Sequence, residues 1–257
     1  MGDWNSNQYL KFERERTQPS LDLISRIRHL DPENILDIGC GPGNSTNALK
    51  NAFPNAEILG IDSSDDMLAK ARKTYPGISF EKCTVPVGLC DLNKSFDLIF
   101  SNACFQWIPE QEELFKNVFE SLAPGGTLAV QLPLIQTAPF YKMLNEVLRE
   151  SKWQCLQGIR DFYNLNDVQY YDILCKYCSD FDIWHTTYYH TVDGADGVLS
   201  WYSGSGLRPY LDALDDAKRA EFVAELKENI NSLYDVRANG KVILKMPRLF
   251  FVGKGMA

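Results

Sequence analysis

The stretch Asn34-Ile35-Leu36-Asp37-Ile38-Gly39-Cys40-Gly41-Pro42-Gly43-Asn44-Ser45-Thr46 decides the fold. A short apolar run ends in three alternate glycines and gives way to residues that open a helix. Strand, glycine turn and helix in that order are how a βαβ unit begins. Glycine lets the chain turn sharply and lets a ligand approach the backbone where a Cβ would clash. A dinucleotide fingerprint needs Gly-x-Gly-x-x-Gly, and position 44 is Asn. A phosphate loop needs Lys followed by Ser or Thr, yet no cation stands between 37 and 46, and Asp37 would repel a pyrophosphate.

Outward from this stretch the pattern repeats. Residues 44–53 predict a helix closed by Pro54, and Glu57–Ser63 a second buried strand. Ser64 and Asp66 are placed to cap a helix running to Tyr75. Strands are predicted at 78–84, 96–102 and 126–132, with a helix over 110–122 stopped by Pro124-Gly125-Gly126. Upstream, Leu23, Ile24, Ile27 and Leu30 have helical spacing and predict a helix from Ser20 to Leu30. After Pro133 helices are expected at 138–151, 167–178, 195–203 and 216–234, and strands at Asp182–Val192 and Arg248–Lys254. The expectation is an α/β fold: a doubly wound, mostly parallel seven-stranded sheet with an α-helical cap and ligands beyond the carboxyl ends of its strands. One domain is expected over 1–257: a helical lid at 1–30, a cofactor-binding core at 31–133, and cap helices with the last two strands at 134–257.

Composition limits the partners. The 257 residues carry 34 acidic and 26 basic side chains, a net charge of −8, which disfavours nucleic acid and anionic membrane. At 45% hydrophobic and 23% charged the chain reads as globular, and no run approaches the ~20 apolar residues of a membrane span. The opening residues have neither an apolar signal core nor a basic leader, and the seven cysteines are an odd number spread along the chain. A cytoplasmic monomer with reduced thiols is expected. Cys175 and Cys178 precede His185 and His190, but histidines five apart in a strand face opposite ways, so no metal site is expected. Gly2 with Ser6 is a match that often arises by chance, and the sequons at Asn44 and Asn93 have meaning only in a secreted chain.

The glycine loop suits a ligand without phosphate and with cationic character. S-adenosyl-L-methionine is one, with its sulfonium, ammonium, ribose and adenine. Asp62 ends the second strand, where a carboxylate can accept from both ribose hydroxyls. Met67 can cover the adenine as a soft apolar wall.

Here the sequence resembles the class I S-adenosylmethionine-dependent methyltransferases. Their acidic-x-Gly-x-Gly-x-Gly loop is matched by Asp37, Gly39, Gly41 and Gly43, and their ribose acid by Asp62. Where an acid usually meets the adenine amino group this chain has Cys83-Thr84, so Thr84 is the candidate there. The resemblance implies a cofactor set of Tyr9, Arg14, Asp37, Gly39, Cys40, Gly41, Asp62, Ser63, Met67, Thr84 and Asn102. Blocks outside the loop narrow it. Asp3-Trp4-Asn5, Gln106-Trp107, Thr186-Thr187-Tyr188-Tyr189-His190, Gly206-Leu207-Arg208-Pro209 and Pro247-Arg248-Leu249-Phe250 are similar to the trans-aconitate 2-methyltransferase family. That resemblance implies esterification of one carboxylate of a small unsaturated tricarboxylate. His185 stands where the family can carry arginine.

An anionic acid needs a local cluster of cations, and arginine's planar fork meets a carboxylate bidentately. Arg16, Arg208 and Arg248 are the candidates for it, with Trp107, Tyr188 and His190 as donors and walls. Arg14, with Tyr9 beside it, can hold either the methionine carboxylate or the substrate. The nucleophile is already ionised, so no catalytic side chain is expected. Two other readings stay open: another acceptor, such as a different acid or an acyl-carrier thioester, and a non-catalytic cofactor-binding protein.

Overall fold

The computed structural model describes residues 13–204 and 206–256, apart from the side chains at 13, 14, 16 and 136. Tyr9 therefore lies outside the described residues, as do the side chains of Arg14 and Arg16. The chain divides into two compact units. One holds Thr17–Pro133, Phe162–Thr186 and the residues from Arg248 onward; the other includes Leu134–Asp161 and Thr187–Pro247.

The sheet lies mostly in the first unit, with its last two strands running through both. Its strands are β1 (Asn34–Ile38), β2 (Glu57–Asp62), β3 (Ser79–Lys82), β4 (Phe96–Asn102), β5 (Leu122–Pro133), β6 (Cys178–Asp193) and β7 (Lys241–Gly255), in the order β3-β2-β1-β4-β5-β7-β6. β1 pairs in parallel with β2 and β4, β2 with β3, and β4 with β5; β7 runs antiparallel to β5. This is the doubly wound, mostly parallel seven-stranded sheet expected from the sequence. Ile35, Leu36, Leu98, Ile99, Phe100, Leu128, Ala129 and Val130 are wholly buried, as central strands covered on both faces require. The helices α1 (Glu13–Ile27) from Thr17 onward, α2 (Asn44–Ala52), α3 (Asp65–Thr74), α4 (Gln111–Glu120) and α6 (Asp167–Tyr177) belong to the first unit, with α5 (Pro139–Val147) in the other.

Several boundaries differ from the sequence reading. α1 starts at Glu13 rather than Ser20 and contains Pro19, a residue that costs a helix interior ~3 kcal/mol. Burial of Ser20, Leu23, Ile24 and Ile27 offsets that cost, and the Ser20 hydroxyl donates to the Thr17 carbonyl. β5 starts at Leu122, inside the segment read as a helix end, because Leu122 pairs with Phe96 before the register shifts. β7 runs through Pro247 from Lys241 instead of starting after it, and the Pro247 carbonyl accepts from the Leu134 amide.

The second unit is mainly helical: α5, a 3-10 turn at Ser151–Leu156, α7 (Gly194–Ser203), α8 (Arg208–Asp212) and α9 (Asp216–Leu233). The expected helix over 138–151 ends at Val147, and Glu150, with an extended backbone (φ −65°, ψ 140°), separates it from the 3-10 turn. Phe140, Leu144, Trp153, Phe222, Leu226 and Ile230 form its core. The Phe140 and Tyr202 rings stack at 3.7 Å, and the Trp153 indole donates to Glu225 at 2.9 Å. Among the described residues no helix is long and apolar enough to cross a membrane.

Candidate active site

β1 delivers the glycine loop at its carboxyl end, beside the ends of β2 and β4. The amides of Gly39 and Cys40 both donate to the Ile61 carbonyl, at 2.8 and 3.0 Å, so β2 ties down the start of the turn. Gly39, Gly41 and Gly43 all have positive φ (73°, 53° and 92°), the left-handed region that only glycine enters freely. A Cβ on Gly39 would lie 2.3 Å from the Cys104 sulfur. A Cβ on Gly41 would meet nothing within 4 Å, so the backbone there borders open space that a ligand can take.

Asp62 organises this edge. Its Oδ2 accepts from the Gly41 amide and its Oδ1 from the Ser64 amide, both at 2.9 Å. The carboxylate is thus held half-buried at the end of β2, with lone pairs left for a vicinal diol. The cap of α3 is Ser64, whose hydroxyl accepts from the Met67 amide at 3.3 Å, and not Asp66. Met67 is half-buried, Ser63 and Thr84 are exposed, and Cys40 is buried among Leu68, Ala71 and Phe80. Burial drives the Cys40 thiol well above its ordinary range and the Cys104 thiol up to about 12, so both stay protonated at neutral pH.

Asp37 sits deeper and is wholly buried. Its Oδ2 accepts from the Ser45 and Thr46 hydroxyls, both at 2.7 Å, while Oδ1 has no hydrogen-bond partner. Desolvation pushes its carboxyl up to about 6; the Thr46 and Ser45 bonds pull it down and the Asp62 charge adds to the rise. Asp37 therefore clamps the first turn of α2 to β1. The sequence reading did not connect Ser45 and Thr46 with it; their spacing, eight and nine residues on, was the available signal.

β4 ends at Asn102, half-buried, with the Ser101 hydroxyl donating to the Ile38 carbonyl at 3.0 Å. Ala103 follows with φ 55°, a strained value for a residue with a Cβ, and its amide donates to the Gln131 carbonyl. A 3-10 turn at Phe105–Trp107 is pinned by Gln111, whose amide nitrogen donates to the Phe105 and Ile108 carbonyls. That turn sets the Trp107 ring 4.8 Å from Phe162. Arg248, half-buried on β7, stands opposite Pro133 of β5.

The remaining predicted residues belong to the helical unit. Tyr188 and His190 alternate inward on one strand, and His190 stacks on Trp201 at 4.7 Å. Arg208 opens α8, its Nε donating to Asp212 at 3.2 Å. Cys175 is exposed on α6 and Cys178 is buried at the start of β6.

Among the described residues the first unit thus offers a glycine turn bordering open space and free of cations between 37 and 46, and an oriented carboxylate at the neighbouring strand end. The residues fit a ribose-bearing ligand and fit a pyrophosphate poorly. The architecture and this edge are those of the class I methyltransferases. Residues 35–126 match the family model described as a methyltransferase domain. The fold is shared with the YcgJ protein of Bacillus subtilis (TM-score 0.59, 13% identity, 93% of this chain and 99% of that one). It is shared too with phosphoethanolamine N-methyltransferase 2 of Haemonchus contortus, solved with phosphomonomethylethanolamine and S-adenosylhomocysteine (TM-score 0.57, 18% identity, 93% of this chain and 53% of that one). The chain belongs to the trans-aconitate 2-methyltransferase family: it is 40% identical to the Rhodopseudomonas palustris (strain BisB18) member over 98% of this chain and 99% of the relative. The Paracidovorax citrulli (strain AAC00-1) member is 37% identical over the whole of both chains.

Proposed function

We propose that the protein is a carboxyl O-methyltransferase that uses S-adenosyl-L-methionine to esterify one carboxylate of trans-aconitate. The observation that carries the reading is the glycine loop, held open at Gly41 and hydrogen-bonded to Asp62, in a chain similar over its whole length to proteins named for that reaction.

When bound, S-adenosyl-L-methionine supplies a methyl group activated on a sulfonium. The residues proposed to hold it are Tyr9, Arg14, Asp37, Gly39, Cys40, Gly41, Asp62, Ser63, Met67, Thr84 and Asn102. Asp62 accepts from the ribose hydroxyls, Met67 covers the adenine, and Asp37 shapes the loop from below. Arg16, Trp107, Tyr188, His190, Arg208 and Arg248 are proposed to hold the acid. Small carboxylic acids have reference pKa values of ~3–4, so the attacking oxygen is already ionised near neutral pH and no side chain has to remove a proton. The arginines belong on the two spectator carboxylates, because a tight ion pair on the attacking oxygen would blunt it. Holding donor and acceptor in line supplies about 7–11 kcal/mol, and excluding water strips the hydration that weakens a carboxylate nucleophile. We place the protein in the cytoplasm as a monomer, with residues 1–30 acting as a lid and the helices after 134 as a cap.

The test incubates purified protein with S-adenosyl-L-methionine and a panel of organic acids and detects methyl esters by mass spectrometry. Trans-aconitate monomethyl ester is the expected product. Efficient turnover of another acid with none of trans-aconitate leaves the class standing and removes this substrate.

A further inference from the structure

We infer that Gln131 is the residue that holds the reacting carboxylate, through the N–H of a neutral carboxamide. The inference rests on the reading above that the methyl acceptor is a carboxylic acid. On β5 the run Leu128-Ala129-Val130-Gln131-Leu132 is wholly buried, and Gln131 is its polar member. Among the described residues neither end of its carboxamide has a hydrogen-bond partner. Its main chain is matched, since the carbonyl accepts from the Ala103 amide at 2.8 Å. Burying an amide with both ends unmatched costs stability, which an apolar side chain of that length would not, so the group calls for a ligand.

Strand register gives the position of that ligand. Ile38 of β1 pairs with Ile61 of β2 and with Ser101 of β4, so the next residues, Gly39, Asp62 and Asn102, stand at one level. Asn102 pairs in turn with Gln131 of β5, and Gln131 with Phe250 of β7. Paired residues of neighbouring strands share a face of the sheet, and the strands lie ~4.8 Å apart. Gln131 is therefore one strand from Asn102 and two from the glycine loop, on the face that carries Asp62. Arg248, opposite Pro133, follows on that face toward the carboxyl end of β5. Gln131 thus lies between the proposed cofactor residues and a proposed acid residue. Asn102 Oδ1 and Gln106 Oε1 are also buried and unmatched among the described residues. Gln106 is tied to the same corner by its Nε2, which donates to the Ala103 carbonyl at 2.7 Å. The carboxamide oxygens suit a cationic methyl donor. Of these three side chains Gln131 alone leaves a buried N–H unmatched, and a carboxylate, which only accepts, is its complement. A neutral donor orients the nucleophile without the ion pair that would blunt it.

Wild type, Gln131→Met and Gln131→Glu are compared. Methionine keeps the length without either polar end, and glutamate keeps the shape with a negative charge. Thermal melts read stability, calorimetry on protein loaded with S-adenosylhomocysteine reads trans-aconitate binding, and steady-state kinetics read methylation. Gln131→Met is expected to melt at or above the wild-type temperature and to bind S-adenosylhomocysteine within about twofold of wild type. Its trans-aconitate affinity and kcat/KM are each expected to fall by about tenfold or more. Gln131→Glu is expected to lose more, because it sets like charge against the acid. Unchanged affinity and kcat/KM in Gln131→Met overturn the inference. So does a variant that melts lower and loses S-adenosylhomocysteine affinity to the same extent, which marks a carboxamide that only supports the fold. A wild type that binds trans-aconitate through Gln131 yet forms no ester overturns the proposed reaction and keeps the contact.

Discussion

The two units are held together in different ways. In the sheet unit the candidate residues are fixed by hydrogen bonds with a main-chain group at one end or both: the Gly39 and Cys40 amides to the Ile61 carbonyl, the Gly41 and Ser64 amides to the Asp62 carboxylate, and the Ser101 hydroxyl to the Ile38 carbonyl. In the helical unit they are fixed by rings: Phe140 on Tyr202, His190 on Trp201, Tyr141 against Tyr202. A ligand edge built on backbone amides tolerates little change of conformation and depends on the few side chains, Asp62 above all, that hold those amides. One built from rings depends on the identity of each aromatic residue. Mutations should therefore lower ligand affinity in the first unit and stability in the second.

The largest effect expected is on the aromatic core. Phe140→Ala removes a wholly buried ring stacked at 3.7 Å and should cost ~3–5 kcal/mol, read as a fall in denaturation midpoint. Retention of S-adenosylhomocysteine binding under conditions where methylation is lost would sharpen the contrast; simultaneous loss of both would break it.

Next comes the buried acid. Asp37 has a folded pKa of about 6 against 3.8 for the ordinary group, so between those values the folded state binds the extra proton. Its contribution to stability is thus greatest below pH 4 and falls as pH rises through 6, by up to about 3 kcal/mol. Asp37→Asn should flatten this part of the stability–pH curve while leaving stability at pH 4 little changed. An unaltered curve would place the titration elsewhere.

Asp62→Ala removes both the diol acceptor and the partner of two amides. Cofactor affinity should drop about a hundredfold, equivalent to ~2.7 kcal/mol, with a smaller change in thermal stability. Unchanged affinity by calorimetry would contradict the ribose assignment. The smallest effect belongs to Ser64→Ala, which uncaps α3 and should cost ~1 kcal/mol of stability in a thermal melt without altering KM for the acid.

The legibility of the sequence follows the same division. β1, β2 and β4 could be read with their boundaries nearly right, because apolar strands between a glycine loop and capped helices carry local signals. α1 starts seven residues before the expected Ser20, because the helical spacing of Leu23, Ile24, Ile27 and Leu30 carries no signal for residues 13–19. β7 passes through Pro247, which reads as a boundary until the neighbouring strand is known. Arg208 is readable as a cation but not as the partner of Asp212.

By itself the sequence determined the strand–glycine–helix grammar, the exclusion of phosphate ligands and the acid at the end of β2. These depend on residues near one another in the chain and on backbone conformations that few residue types allow. Tertiary structure alone decided that Asp37 clamps Ser45 and Thr46 from inside the core, and that Cys104 fills the space Gly39 leaves bare. It also decided that the Tyr210 hydroxyl meets the Arg160 carbonyl, fifty residues earlier. The physical reason is that burial and side-chain packing join residues far apart in sequence, and no local pattern records which of them will share one dry volume.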